Sequence, residues 1–233
     1  MTVLRSLLYA AIFYPGTALY VAAGVVAMIF GRRPTLAVVL GWMDFNGWLC
    51  VHLLRIRTRV VGTIPEEPHL IAIKHESMYE TMEMVRIFRL PVVVMKRELS
   101  DIPLFGTLTR VYGAIPVDRE AGAKALRAMV SAGKEAVDSG RSVIIFPEGT
   151  RVPAGETPPL QSGFAGLYRA LGLPVLPVAV DSGRLWGSGL VHREGVVTFK
   201  VGETIPSGLK REEIEARVHT AINALQLAPQ ART

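Results

Sequence analysis

The stretch Leu70-Ile71-Ala72-Ile73-Lys74-His75-Glu76-Ser77-Met78-Tyr79-Glu80 reads as a buried strand running straight into the start of a helix. Leu70–Lys74 is a short apolar run, and Ser77 followed three residues later by Glu80 is the signature of a helix N-terminus. A strand that feeds a helix is the repeating unit of an α/β sheet, and ligands bind beyond the carboxyl ends of such strands. The alternation continues on both sides. Arg57–Val61, Pro91–Met95, Gly113–Val117, Ser142–Phe146, Val175–Val180 and Val196–Val201 are further β-branched runs. Between them lie helical patterns at about Met78–Phe88, Pro103–Arg110, Ala121–Ser139 and Gln161–Leu171, with a last one at about Arg211–Leu225. The expected fold class is α/β, a mixed sheet of about seven strands flanked by helices. Residues 228–233 read as a polar tail.

Upstream the texture differs. Between Arg5 and Arg32 no residue is charged, and Ser6–Phe30 is long enough to cross a bilayer. Pro15, Gly16 and Gly24 interrupt it, which predicts a kinked span or a re-entrant hairpin. A signal peptide is the competing reading, but the apolar run outlasts an ordinary signal core and no small-residue cleavage site ends it. Leu36–Leu54 contains Asp44, Asn46 and His52, with Trp42 and Trp48 near its middle and Arg55, Arg57 and Arg59 after it. That mixture suits a helix lying in the membrane interface or one packed on the domain. The expected division is residues 1–56 as membrane-anchoring helices and 57–233 as the α/β domain.

Composition supports this. Half of the 233 residues are hydrophobic and 20% are charged, more apolar than a soluble domain needs. The formal net charge is +6, which suits an anionic partner. No zinc-finger spacing, RNP-like string or dense basic block is present, so nucleic acid is not expected and the bilayer surface is. The single cysteine, Cys50, excludes an intrachain disulfide and reads as a small buried hydrophobe.

Four segments carry groups that can do chemistry. His75 and Glu80 are five apart, a spacing that would point them in different directions on one helix. They can meet only if His75 precedes the helix and Glu80 stands in its first turn. Glu80 as a simple helix cap is the competing reading. Phe146-Pro147-Glu148-Gly149-Thr150-Arg151 follows a strand, with a glycine for close backbone approach and an arginine able to grip a phosphate. Lys96-Arg97 and the segment Gly113–Arg119 again put basic groups at strand ends. Other chemistries fail on residue type: there is no Gly-x-Ser-x-Gly, no Walker A string and no Gly-x-Gly-x-x-Gly, and Tyr79 stands where a zinc-protease helix needs its second histidine. His52, His69, His192 and His219 are scattered, and no metal site is expected.

Together, these segments resemble the glycerophospholipid acyltransferase superfamily, and most closely the bacterial 1-acylglycerol-3-phosphate acyltransferases. The resemblance covers about residues 57–205. Its motifs are His75-x4-Glu80, Gly113–Arg119, Phe146–Arg151 and Val175–Val180 with Pro177. It implies O-acyl transfer from acyl-CoA or acyl carrier protein, as co-substrate and without a further cofactor, to the free hydroxyl of a lysophospholipid. The most natural acceptor is 1-acylglycerol-3-phosphate, giving phosphatidic acid. It also implies His75 and Glu80 as catalytic residues, with Lys96, Arg97, Arg119, Glu148, Gly149, Thr150 and Arg151 in substrate binding. The implied location is the cytoplasmic face of a bacterial inner membrane. Two departures stand out. Glu80 occupies a position that is usually Asp, and Gln161 stands where many members carry a Lys, which keeps lyso-ornithine lipid open as an acceptor. A membrane-bound hydrolase or thioesterase and a non-catalytic lipid-binding module are the other readings.

Overall fold

A computed structural model describes residues 1–118, 122–187 and 189–226. Two long helices come first, α1 (Thr2–Met28) and α2 (Arg32–Leu49), and a π-helical turn, Cys50–Leu54, leads into the sheet. There follow β1 (Ile56–Val61), β2 (Leu70–Ile73), α3 (Met78–Ile87), β3 (Val92–Lys96), α4 (Arg97–Ser100), α5 (Phe105–Tyr112) and β4 (Ile115–Val117). The chain continues through α6 (Gly122–Asp138), β5 (Val143–Ile145), α7 (Ser162–Leu171), β6 (Val175–Val180), a 3-10 turn at Ser182–Arg184, β7 (Gly195–Val201) and α8 (Arg211–Ile222).

The seven strands form one sheet in the order β1-β7-β6-β2-β5-β3-β4, with every pair parallel except β6–β7. The expected mixed sheet is therefore present. Its strands sit within a residue or two of the expected bounds. Side-chain alternation along β2 divides the core between the two faces of the sheet. Ile71 and Ile73 join a cluster with α1–α3 residues such as Phe13, Met43 and Met84. Leu70 and Ala72 join another with α6–α8 residues such as Met129, Phe164 and Val218. Helices thus cover both faces, and β2, fully buried, lies at the centre.

Two local expectations change, and one of two open readings is met. Helix α1 runs unbroken through Pro15, so no hairpin forms inside the first apolar segment. The hairpin is made by α1 against α2, turning at Gly31, whose φ of 104° favours a residue without Cβ. Tyr9 donates to Asn46 (2.8 Å), the Phe13 ring lies 6.5 Å from Trp42, and Trp42 donates to Thr17 (3.0 Å), an antiparallel register. The open reading is met at α2, which packs on the α/β domain: its lone acid, Asp44, accepts from Arg86 of α3 at 2.8 Å. The other change is at α5, which starts at Phe105 rather than Pro103, because Leu104 takes a left-handed φ of 63° and breaks the chain direction there.

Helices α1 and α2, the latter with its π-helical turn, are each long and apolar enough to cross a membrane. The outer side of α1 exposes Leu4, Leu7, Leu8, Ile12, Leu19 and Val26. Its inner side, through Tyr9 and Phe13, is part of the same buried cluster as the sheet.

Candidate active site

Beyond the end of β2 the chain leaves the sheet at Lys74, whose N–H still bonds Val178 of β6 (3.0 Å). His75 follows, the chain bends at Glu76, and Ser77, in extended backbone, caps α3. The capping box expected from Ser77 and Glu80 is formed: the Ser77 hydroxyl accepts from the N–H of Tyr79 (3.0 Å), and Glu80 accepts from the N–H of Ser77 (2.6 Å). The same Glu80 oxygen, Oε1, accepts from His75 Nδ1 at 2.9 Å and from the N–H of Glu76 at 2.6 Å. Capping and histidine pairing are therefore not alternatives at Glu80; one carboxylate does both.

Electrostatics fix the tautomer. Glu80 is fully buried, and burial alone would push its carboxyl up. The hydrogen bond and charge of His75, with the Ser182 hydroxyl and the Ser77 N–H, outweigh that and hold it below the usual carboxylate range. An ionised carboxylate only accepts, so Nδ1 carries the proton shared with Glu80, and Nε2 is the ring nitrogen that Glu80 does not engage. The His75 ring stacks on Phe146, centroids 4.0 Å apart, and its edge lines a cleft.

Behind this pair stands a buried frame. Lys74 Nζ contacts Glu148 Oε1 (2.5 Å), the Glu156 carbonyl (2.7 Å) and Asn223 Oδ1 of the segment after α8 (2.8 Å). The other oxygen of Glu148 accepts from the His75 N–H at 3.1 Å, and the His75 carbonyl accepts from the Val152 N–H at 2.7 Å. The backbone of His75 is thus pinned on both sides. Glu76, also buried, accepts from the Gly183 N–H (2.7 Å) and from Gln226 (2.7 Å). Burial pushes its carboxyl up to about 7, aided by the charges of Glu80 and Asp181 and opposed by the Gly183 N–H and Lys74.

The cleft measures about 980 Å³, at the upper end of the range for small-molecule sites. His75, Lys96, Gly149, Thr150, Arg151 and Gln161 line it, over a floor that includes Val93, Met95, Ile145 and Phe146. Gly149 has a φ of 73°, and a Cβ there would come 2.7 Å from Gln161 Cγ, so the turn and its packing both call for glycine. A smaller apolar cavity of about 180 Å³ lies between α1, α2, α3 and α5 and shares Thr81, Val93, Met95 and Leu99 with the cleft.

The expected binding residues separate accordingly. Lys96, Gly149, Thr150 and Arg151 come together around the cleft. Arg97 does not line it, and its guanidinium lies 3.5 Å from Asp118. Glu148 points inward, its carboxylate given over to Lys74 and the His75 N–H, and this corrects its expected place in the cleft. Arg119 lies outside the described residues. Among the described residues no cluster of His, Cys, Asp or Glu has the arrangement of a metal site.

The acyltransferase family model matches residues 55–181, from the residue before β1 to the one after β6, and so encloses the His75–Glu80 pair and the Gly149–Arg151 turn. The chain belongs to the acyltransferase family. Its resemblance to the glycerophospholipid enzymes, read from those motifs, agrees with individual relatives. The 1-acyl-sn-glycerol-3-phosphate acyltransferase of Pseudomonas aeruginosa is 36% identical over 168 residues, covering 71% of this chain and 65% of the relative, just under two thirds of its length. The human 1-acyl-sn-glycerol-3-phosphate acyltransferase beta is 28% identical over 234 residues, covering 93% of this chain and 83% of its own. The crystal structure of the 1-acyl-sn-glycerophosphate acyltransferase PlsC from Thermotoga maritima matches with a TM-score of 0.80 at 22% identity, over 100% of this chain and 99% of that one, a likeness of fold. The sequence alone does not single out Lys74, Glu76, Ser182, Asn223 and Gln226 as site residues. Only Lys74 and Glu76 carried a signal, as ionisable residues adjoining His75.

Proposed function

We propose that this acyltransferase moves a fatty acyl group from a thioester to the free hydroxyl of a lysophospholipid, most naturally 1-acylglycerol-3-phosphate. One observation carries the reading: a histidine on a cleft wall has its Nδ1 held by a buried carboxylate, with Arg151 and Lys96 lining the same cleft. The relatives' names and the family membership support it. In the proposed mechanism, His75 Nε2 takes the proton of the acceptor hydroxyl as its oxygen attacks the thioester carbonyl. Glu80 stabilises the imidazolium, as the acid does in a Ser-His-Asp triad. The tetrahedral intermediate collapses to the new ester, and the departing thiolate recovers the proton from the imidazolium. The acceptor hydroxyl stands where a triad has its serine, so no acyl-enzyme forms.

Arg151, with Lys96 beside it, fixes the acceptor phosphate, and the backbone at Gly149 approaches either the phosphate or the developing oxyanion. Glu148 acts at one remove by holding the His75 backbone, and Arg97 supplies positive potential from outside the cleft. The apolar cavity beneath α1 and α2 receives acyl chain. Acyl-CoA or acyl carrier protein is the donor, and the protein resides at the cytoplasmic face of the membrane, seated by α1 and α2.

Lipid mass spectrometry tests this with acyl-CoA and acyl carrier protein donors and a panel of lysolipids that includes lysophosphatidate and lyso-ornithine lipid. Phosphatidic acid is the expected product, reduced by roughly 10²–10⁴ in His75→Ala at unchanged stability. Release of free fatty acid without acceptor acylation indicates a thioesterase instead, and wild-type turnover in His75→Ala overturns the mechanism.

A further inference from the structure

The oxygen of Glu80 that faces away from His75 is held by hydroxyls. Glu80 Oε2 accepts from Ser182 Oγ at 2.6 Å and from Ser77 Oγ at 2.8 Å, and the two hydroxyls are themselves 2.9 Å apart. Ser77 is accounted for as the cap of α3. Ser182 is not: it lies 102 residues downstream, in the turn after β6, with no exposed surface at all. A buried hydroxyl needs a partner, yet nothing about that turn requires it to find one in this particular carboxylate. The turn is closed without the Ser182 hydroxyl, by the Leu185 and Trp186 N–H groups on the Ser182 carbonyl at 3.0 and 2.8 Å and by Arg184 on Asp181.

We infer that Ser182 is a positioning residue for the acyl-transfer reaction, its hydroxyl fixing the rotation and charge distribution of Glu80 and, through it, the basicity of His75. The inference rests on the proposed role of the dyad. Two oxygens and five donors leave the Glu80 carboxylate one orientation, with Oε1 toward Nδ1. Without the Ser182 donor, more of the negative charge is available to the imidazolium, which is then stabilised. His75 keeps its proton to higher pH, and less of it is in the basic form at a given pH. The other charged groups around the dyad are Glu76, Lys74 and Glu148 behind it, Asp181 at the end of β6, and Lys96 and Arg151 on the cleft side. All are common to wild type and variant, so a difference between the two isolates Ser182.

The test is the pH dependence of kcat/KM for full-length protein in mixed micelles with lysophosphatidate and acyl-CoA. It compares wild type, Ser182→Ala, Ser182→Cys and His75→Ala. Cysteine nearly keeps the volume and donates only weakly, so it decides the matter if the alanine variant fails to fold. The expected result is an acid limb shifted up by about half to one pH unit in both Ser182 variants. Turnover should fall about tenfold at the plateau with KM unchanged, because the imidazole loses its single orientation and that outweighs the gain from a more basic ring. A wild-type limb and wild-type kcat in a Ser182 variant that melts normally overturn the role of Ser182. Activity surviving in His75→Ala is a separate result, and it overturns the mechanism on which the role depends.

Discussion

Lys74 Nζ and Glu148 Oε1 meet at 2.5 Å with neither side chain exposed. The pair is useful as frame because Glu148 also holds the N–H of His75, so the ammonium anchors the residue beside it through a loop 74 positions away. Removing one member of a buried ion pair leaves the other charge uncompensated, at a cost of about 3–5 kcal/mol. Lys74→Met should lose stability on that scale in chemical denaturation. The double variant Lys74→Met with Glu148→Gln should recover much of the loss, because the stranded charge is gone.

Glu80→Gln separates the two duties of that side chain. Glutamine keeps the length and can still accept the Ser77 N–H, so α3 should remain capped, while the loss of the buried charge that five donors hold should lower the melting temperature. The charge that stabilises the imidazolium is lost, and kcat should fall by about 10²-fold or more. Glu80→Asp keeps the charge but falls short of His75 and should lie between. Steady-state kinetics beside a thermal melt read both effects, and wild-type kcat in Glu80→Gln would reduce Glu80 to a cap.

Arg151 is exposed at the cleft rim, so its substitution should leave folding unchanged. Arg151→Lys retains the charge and loses the planar fork. It should reduce kcat/KM for a phosphate-bearing acceptor by roughly tenfold to a hundredfold, as the loss of a charge-assisted contact predicts. Normal kinetics with Arg151→Ala would remove Arg151 from the acceptor site.

Glu76 should leave a mark on the stability profile. Its folded carboxyl titrates at about 7, above the ordinary carboxylate value, so between about pH 4.5 and 7 the native state binds more protons than the unfolded chain. Stability from this group is therefore fully present below that window and lost as pH rises through it. Glu80, with its depressed carboxyl, has the opposite sign and loses its contribution in acid below the unfolded carboxylate value. Denaturation measured from pH 4 to 8 should show a decline in wild type that Glu76→Gln lacks. Equal slopes in the two proteins would contradict this account of Glu76.

What was legible in the sequence follows contact range. The His75–Glu80 pair could be read because both residues lie in one strand-to-helix turn, where spacing alone restricts the geometry. The Gly149–Arg151 turn is local in the same way. Strand order was not legible: β2 lies between β5 and β6, and β7 runs against β6, arrangements set by packing and not by the residues of any one strand. The partners that complete the site were hidden for the same reason. Ser182 reaches Glu80 across 102 positions, and Asn223 reaches Lys74 across 149. Glu148 was misread because the residues beside it do face the cleft, and nothing in their spacing says that the acid turns inward toward a lysine.

The span between Glu76 and Gln226 also orders events during synthesis. These side chains meet at 2.7 Å from positions 150 residues apart, with Asn223 on Lys74 close by. Chains emerge at about 5–20 residues per second, so the carboxylate waits about eight to thirty seconds for its amide partner. Helices α1 and α2 pair within the first 49 residues and are complete long before then. The nascent chain can therefore fold its hairpin well ahead of the frame around His75, and a ribosome stalled before Asn223 would carry a hairpin already made and a His75 segment still lacking its rear supports.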